Sequence, residues 1–190
     1  MAEAVILVSG LPRSGTSLMM QMLSAGGIPL VTDGLRPADA ANPRGYFEYE
    51  PVRRMKEDAS WLPSLGGRAV KVVSPLLACI PEPCPCKVIF MERPLHEILL
   101  SQGEMLRGTA VPERLREENE QLFLVYEKHL AALPRYFARR QDWAVLRLAY
   151  GAIVEDPFSA ARDLSLFLGR EMDVFAMAAA VDPELYRSRL

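Results

Sequence analysis

The feature that most limits what this chain can become lies at its start. A fully apolar run, Val5 to Val8, breaks into the loop Ser9-Gly10-Leu11-Pro12-Arg13-Ser14-Gly15-Thr16-Ser17, which feeds an apolar-rich stretch reaching Ala25. A short run with no polar position is the mark of a strand buried on both faces, and so of a parallel sheet. The stretch from about Thr16 to Ala25 reads as a helix, stopped by Gly26-Gly27. Strand, tight loop and helix in that order make one half of a βαβ unit.

The same alternation continues along the chain. Ala69 to Val73, Lys87 to Met91 and Trp143 to Leu148 read as further strands. Residues 33–50, rich in Pro, Gly, Asn and Asp, read as one long loop, a length that in a compact domain usually carries function. A short helix is expected over Arg53 to Ala59. Pro94 opens a helix running to about Arg107, and Pro112 opens a charged one to about Ala132, with Pro134 as a break or kink. On the charged helix Arg114/Glu118 and Arg116/Glu120 have the i,i+4 spacing of a solvated face. Pro157 begins a helix that ends at Gly169, and 170–190 is a partly helical tail. The pattern predicts an α/β fold of three αβα layers, with a central parallel sheet of about four to five strands, in a single domain over 1–190. Ligands of such sheets bind at the carboxyl ends of the strands.

Composition removes several function classes. At 190 residues and a net charge of −2, the chain has no overall basic field for nucleic acid or an anionic membrane, so neither is expected as a partner. The first ten residues lack the basic start of a secretory signal, and no stretch nears the ~20 apolar residues of a membrane span. The cytoplasm is therefore the expected compartment. Cys79, Cys84 and Cys86 are an odd number of thiols with no second Cys pair and only His96 and His129 to help, so no metal site is expected.

The loop at 9–17 sits where a phosphate cradle belongs, between a buried strand and a helix N-terminus. Gly10 and Gly15 allow backbone conformations that other residues resist, and the N–H groups of Ser14, Gly15, Thr16 and Ser17 would converge on one anion. Against the triphosphatase pattern G-x-x-x-x-G-K-[ST], Gly10, Gly15 and Ser17 fit, but Thr16 replaces the lysine and the positive charge moves to Arg13. Losing that lysine argues against triphosphate chemistry. A second anion site is suggested by Arg93 at a strand end and Ser101 eight residues later. Two turns of helix return a hydroxyl toward the strand end, and arginine offers a planar fork to phosphate oxygens.

These residues resemble the sulfotransferase superfamily, as a P-loop-type domain. PRSGTS resembles the 5′-phosphosulfate loop of the Golgi-type and bacterial enzymes, and Arg93 with Ser101 resembles their 3′-phosphate site. Tyr150, Asp156-Pro157 and Phe167-Leu168-Gly169 resemble a third segment, which implies a nucleotide contact from Tyr150; Gly151 and Ala152 depart from the acidic pair found there. The resemblance implies 3′-phosphoadenosine 5′-phosphosulfate as donor co-substrate, without metal. Arg13, Ser14, Gly15, Thr16 and Ser17 would take its 5′ end, and Arg93 and Ser101 its 3′-phosphate.

Lys71 matches the lysine of the cytosolic enzymes' Lys-Thr-His, whose histidine is replaced here by Val73. Arg13 and Lys71 are then the cations for the leaving group. The base is expected from the 42–50 loop, Glu48 first and Glu50 in reserve, since two nearby carboxylates raise one pKa; His96 is a further candidate. The late Gly-x-x-Gly-x-x-Lys segment has no match beyond Arg187 and Arg189. Three readings stand: an active sulfotransferase, a non-catalytic module binding the 3′-phosphoadenosine nucleotide, and a P-loop nucleotide kinase. The acceptor would be a small molecule, carbohydrate or peptide. A chain this short also admits a homo-oligomer in which a partner subunit completes the acceptor pocket.

Overall fold

The computed structural model describes residues 3–39, 42–106 and 114–186, with side chains 104–119 excepted. The central sheet is fully parallel and has five strands: β1 (Val5–Gly10), β2 (Leu30–Val31), β3 (Ala69–Lys71), β4 (Cys86–Glu92) and β5 (Trp143–Ala149), in the order β2-β3-β1-β4-β5. Every residue of β1 is buried, as its unbroken apolar run requires. Helices cover both faces. On one side α1 (Thr16–Ala25), α5 (Tyr150–Glu155), α6 (Pro157–Leu168) and α7 (Val174–Ala179) enclose Ile6, Val8, Ile89 and Met91. On the other, α4 (Arg114–Arg139) and α2 (Glu50–Arg53) pack over Leu7, Val70, Val88 and Phe90. The last helix, α3 (Leu95–Leu106), follows β4 directly. Along β1 the alternate side chains enter alternate cores, which is the two-residue period of a strand put to use.

Three elements differ from the sequence reading. The strand β2 is two residues long and leaves no period to detect. The short helix forms at Glu50–Arg53 rather than Arg53 to Ala59, because Pro51 fits a first turn and the Asp33 carboxylate accepts the Glu50 N–H at 2.5 Å. Helix α4 continues through Pro134 to Arg139. Pro134 is exposed, so water can satisfy the carbonyl it strands, while Leu133, Tyr136 and Phe137 hold the helix to the core. The predicted start of α4 at Pro112 lies outside the described residues. Helix α6 ends as expected at Gly169, whose φ of 64° terminates it.

The three cysteines are free thiols; Cys84 and Cys86 lie at the amino-terminal end of β4, opposite the carboxyl ends of the strands. Among the described residues no cluster of His, Cys, Asp or Glu has the makings of a metal site, and no helix is long and apolar enough to cross a membrane.

Candidate functional site

The site forms where the connections leaving the sheet diverge. From β1 the chain turns through α1 toward β2 and β3 on one side, while β4 lies on the other, so β1 is a switch point with a crevice at its carboxyl end. The 9–17 loop fills that crevice. Gly10 has φ of 150°, and a Cβ there would lie 2.3 Å from Ser14 Oγ and 2.7 Å from the Met91 carbonyl. Arg13 takes a left-handed φ of 69°, unusual for a side-chain-bearing residue and often a mark of a functional turn.

The Ser14 N–H donates to the Leu11 carbonyl at 3.1 Å, so it helps shape the turn as well as standing in the cradle. The first α1 bond runs from Met19 N–H to Gly15 O, so the helix gives the amides of Gly15, Thr16 and Ser17 no acceptor. The Ser14 hydroxyl is buried and meets no partner among the described residues. Three helix-end amides beside an unpartnered hydroxyl suit an anion.

Arg93 and Ser101 lie against this loop. Arg93, just past β4, donates from Nη1 to the Arg13 carbonyl at 3.1 Å, and Arg13 Nε reaches Ser101 Oγ on α3 at 3.1 Å. The spacing of eight residues therefore does bring Arg93 and Ser101 to one place, beside the loop. Tyr150, at the start of α5, wedges against Gly15, and the Arg93 guanidinium sits 4.8 Å from its ring centre. Burial, together with nearby Arg93 and Arg36, lowers the Arg13 pKa, while Tyr46 and Asp39 work to raise it.

Arg93 has two further partners: Glu97, which with Glu92 is the partner its spacing offers in the sequence but which pairs buried rather than at the surface, and Tyr186, which the sequence reading missed. Glu97 takes its Nε–H at 2.9 Å in an ion pair whose side chains are only 7% and 9% exposed. Tyr186, beyond α7, donates its hydroxyl to that carboxylate and packs edge-on against Tyr150 at 4.9 Å. The Arg93–Glu97 spacing was visible in the sequence; nothing there pointed to a tyrosine 89 residues away from Glu97.

On the other side of β1, Lys71 ends β3 with its Nζ donating to the Tyr46 carbonyl. Burial pulls the Lys71 pKa down to about 8, with Glu48 opposing the shift and Arg36 and Arg13 adding to it. The 33–50 loop covers the cradle. Asn42 donates to Ser17 Oγ at 3.0 Å, and Tyr46, buried under the Arg36 guanidinium, donates its hydroxyl to Asp39.

Of the expected bases, Glu48 accepts from Arg36 at 2.9 Å and from Arg53 at 3.0 Å, and its side chain is 26% exposed. Glu50 faces solvent beside Arg53, and His96 is exposed on the first turn of α3. Neither touches Lys71 or the 9–17 loop in any described contact. Arg187 and Arg189 lie outside the described residues.

No protein-family model matches this chain, and no curated protein matches it. Solved structures do. The sulfotransferase domain of the Synechococcus PCC 7002 olefin synthase superposes over 100% of this chain and 90% of that one, with a TM-score of 0.58 at 15% identity. The mouse sulfotransferase SULT7A1 complexed with PAP matches 94% of this chain, with a TM-score of 0.58 at 17% identity; the match takes in 62% of the mouse chain. The sulfotransferase STF1 of Mycobacterium tuberculosis gives a TM-score of 0.58 at 17% identity, over 93% of this chain and 71% of its own. The five-stranded parallel sheet with its flanking helices is a sulfotransferase-like α/β fold.

Proposed function

We propose that this chain binds 3′-phosphoadenosine 5′-phosphosulfate and transfers its sulfuryl group to a hydroxyl or amine of an acceptor. The observation that carries the reading is the contact between the two anion groups, with Arg93 on the Arg13 carbonyl and the Arg13 side chain on Ser101. A ligand bearing an anion at each end of one adenosine suits that pairing, whereas ATP has nothing to place at Arg93. The Gly15, Thr16 and Ser17 amides with the Ser14 hydroxyl would take the 5′ end, Arg93 and Ser101 the 3′-phosphate, and Tyr150 the nucleoside flank. In the transfer the acceptor oxygen or nitrogen bonds to sulfur as the bridging S–O bond breaks. The acceptor proton passes to a base, and adenosine 3′,5′-bisphosphate leaves, its new charge met by Arg13 and Lys71.

The binding claim has a direct test. Adenosine 3′,5′-bisphosphate at about 100 times its Kd should add about 2.7 kcal/mol without magnesium. That corresponds to a Tm rise of roughly 5–10 °C, and ATP with magnesium should do little. Arg93→Ala alone would strand the buried Glu97 carboxylate, which typically costs about 3–5 kcal/mol. The double variant R93A/E97Q avoids that charge and should stabilise equally with adenosine 3′,5′-bisphosphate and with 5′-AMP. Equal stabilisation by the two nucleotides in the unaltered protein would end the reading.

For the base we retain Glu48, which faces the Lys71 side of the loop. Glu48→Gln should lower kcat by about 10²–10⁴ while leaving the Kd for adenosine 3′,5′-bisphosphate within about twofold. Full turnover in that variant would exclude it. The two arginines on Glu48 and the valine at position 73 support the second reading, a module that binds the nucleotide and does not turn it over. Donor binding with no transfer to any of a panel of phenols, sugars, amines and tyrosyl peptides would favour it.

A further inference from the structure

Resting on the reading above, we propose that Tyr186 is a positioning residue for the 3′-phosphate pocket, and that through it the segment after α7 sets selectivity for 3′-phosphorylated nucleotides. The difficulty it resolves is Glu97. A buried carboxylate at 2.9 Å from Arg93 competes with any incoming phosphate for the same guanidinium and repels it as well. An arginine in such a pair binds a second anion well only if the carboxylate keeps another donor.

Tyr186 supplies that donor. Its hydroxyl lies 3.0 and 2.8 Å from the two Glu97 oxygens, so the carboxylate stays hydrogen-bonded when the Arg93 N–H groups turn to a phosphate. Its ring also faces Arg93, 5.2 Å from the guanidinium carbon, and meets Tyr150 edge-on. The guanidinium is thus backed by two rings, one at the start of α5 and one on the tail.

The tail is tethered independently of this cluster. Arg44, in the loop over the cradle, donates to the Ala180 carbonyl at 2.5 Å and to Asp182 at 3.0 Å, and Asp182 caps the turn at Pro183–Leu185. Tyr186 is therefore presented by a segment that a separate contact holds in place. Losing its hydroxyl should disturb the pocket's electrostatics without freeing the tail.

Three variants test this by calorimetric titration of adenosine 3′,5′-bisphosphate and 5′-AMP. Tyr186→Phe keeps both ring contacts and should weaken the bisphosphate on the order of tenfold while shifting 5′-AMP by less than twofold. Tyr186→Ala should weaken it further. Y186F/E97Q should restore the affinity to within about threefold of the unaltered protein, because a neutral amide no longer competes for Arg93. A purely structural role would weaken both nucleotides alike and leave the double variant unrescued, and either result overturns the proposal. If the unaltered protein prefers the bisphosphate and Y186F keeps that preference, this inference fails alone. If the unaltered protein shows no preference, the donor reading fails first and takes this inference with it.

Discussion

Gly15→Ala is expected to cost roughly 2–5 kcal/mol and to abolish the proposed nucleotide binding. Two separate penalties meet at this position. The φ of 99° is left-handed, which costs a side-chain-bearing residue about 1–2 kcal/mol. The added Cβ would also lie 2.3 Å from Tyr150 Cδ2 and 2.9 Å from Cε2. That ring cannot simply step aside, since Arg93 and Tyr186 pack on it. Overpacking of this kind costs about 1–3 kcal/mol, and the shift would pull the cradle amides out of line. Gly45→Ala is the control: its φ of 93° is similar, but a Cβ there meets nothing within 4 Å, so only the backbone penalty applies. At about 2–4 °C per kcal/mol, thermal melts should place the Gly15 variant well below the Gly45 variant. Equal melting temperatures would mean that Tyr150 does not wedge the loop.

Why Gly15 was legible and Tyr150's hold on it was not follows from the range of the forces involved. The Val5–Gly10 strand, the 9–17 loop and α1 are consecutive, and each announces itself by local chemistry: an unbroken apolar run, paired glycines, and a helical stretch ended by Gly26. Arg93 and Ser101 were readable for the same reason, since strand end and helix turn fix their separation. What stayed hidden is what sequence-distant segments add. Tyr186 joins Glu97 across 89 residues, and Arg44 joins Asp182 across 138, through contacts that leave no periodic trace. The two-residue β2 and the extension of α4 beyond Ala132 to Arg139 were missed because packing, not propensity, decides them. The candidate base is the least legible part of the site. Acidic residues in a loop carry no period, and only the fold shows that two arginines hold Glu48.

Lys71→Met should make the protein more stable and nearly inactive. Lys71 is 9% exposed, and burial lowers its pKa from 10.5 to about 8. The unfolded chain therefore binds more protons than the folded one between about pH 8 and 10.5, so this residue's contribution to stability rises with pH through that window. Below pH 8 its cost is fully present, on the order of 3 kcal/mol, and above 10.5 it is gone. Methionine fills similar space without a charge. Removing the ammonium takes a donor from the Tyr46 carbonyl, a loss of about 1 kcal/mol that the Ser17 hydroxyl at 3.5 Å partly covers. The net gain at pH 7 should be about 2 kcal/mol, a Tm rise of roughly 4–8 °C. It should shrink toward zero or reverse by pH 10.5. A variant equally stabilised at both pH values would show that burial is not what sets this lysine's pKa. In the proposed transfer Lys71 is the cation on the departing oxygen, so its loss should lower kcat by about 10²–10³. The pH profile of transfer by the unaltered protein then distinguishes two proposed roles for the amine. As the cation on the leaving group, Lys71 must be protonated, so kcat should fall as pH rises through about 8; a kcat that instead climbs through that value would make Lys71 the base and relieve Glu48 of the part.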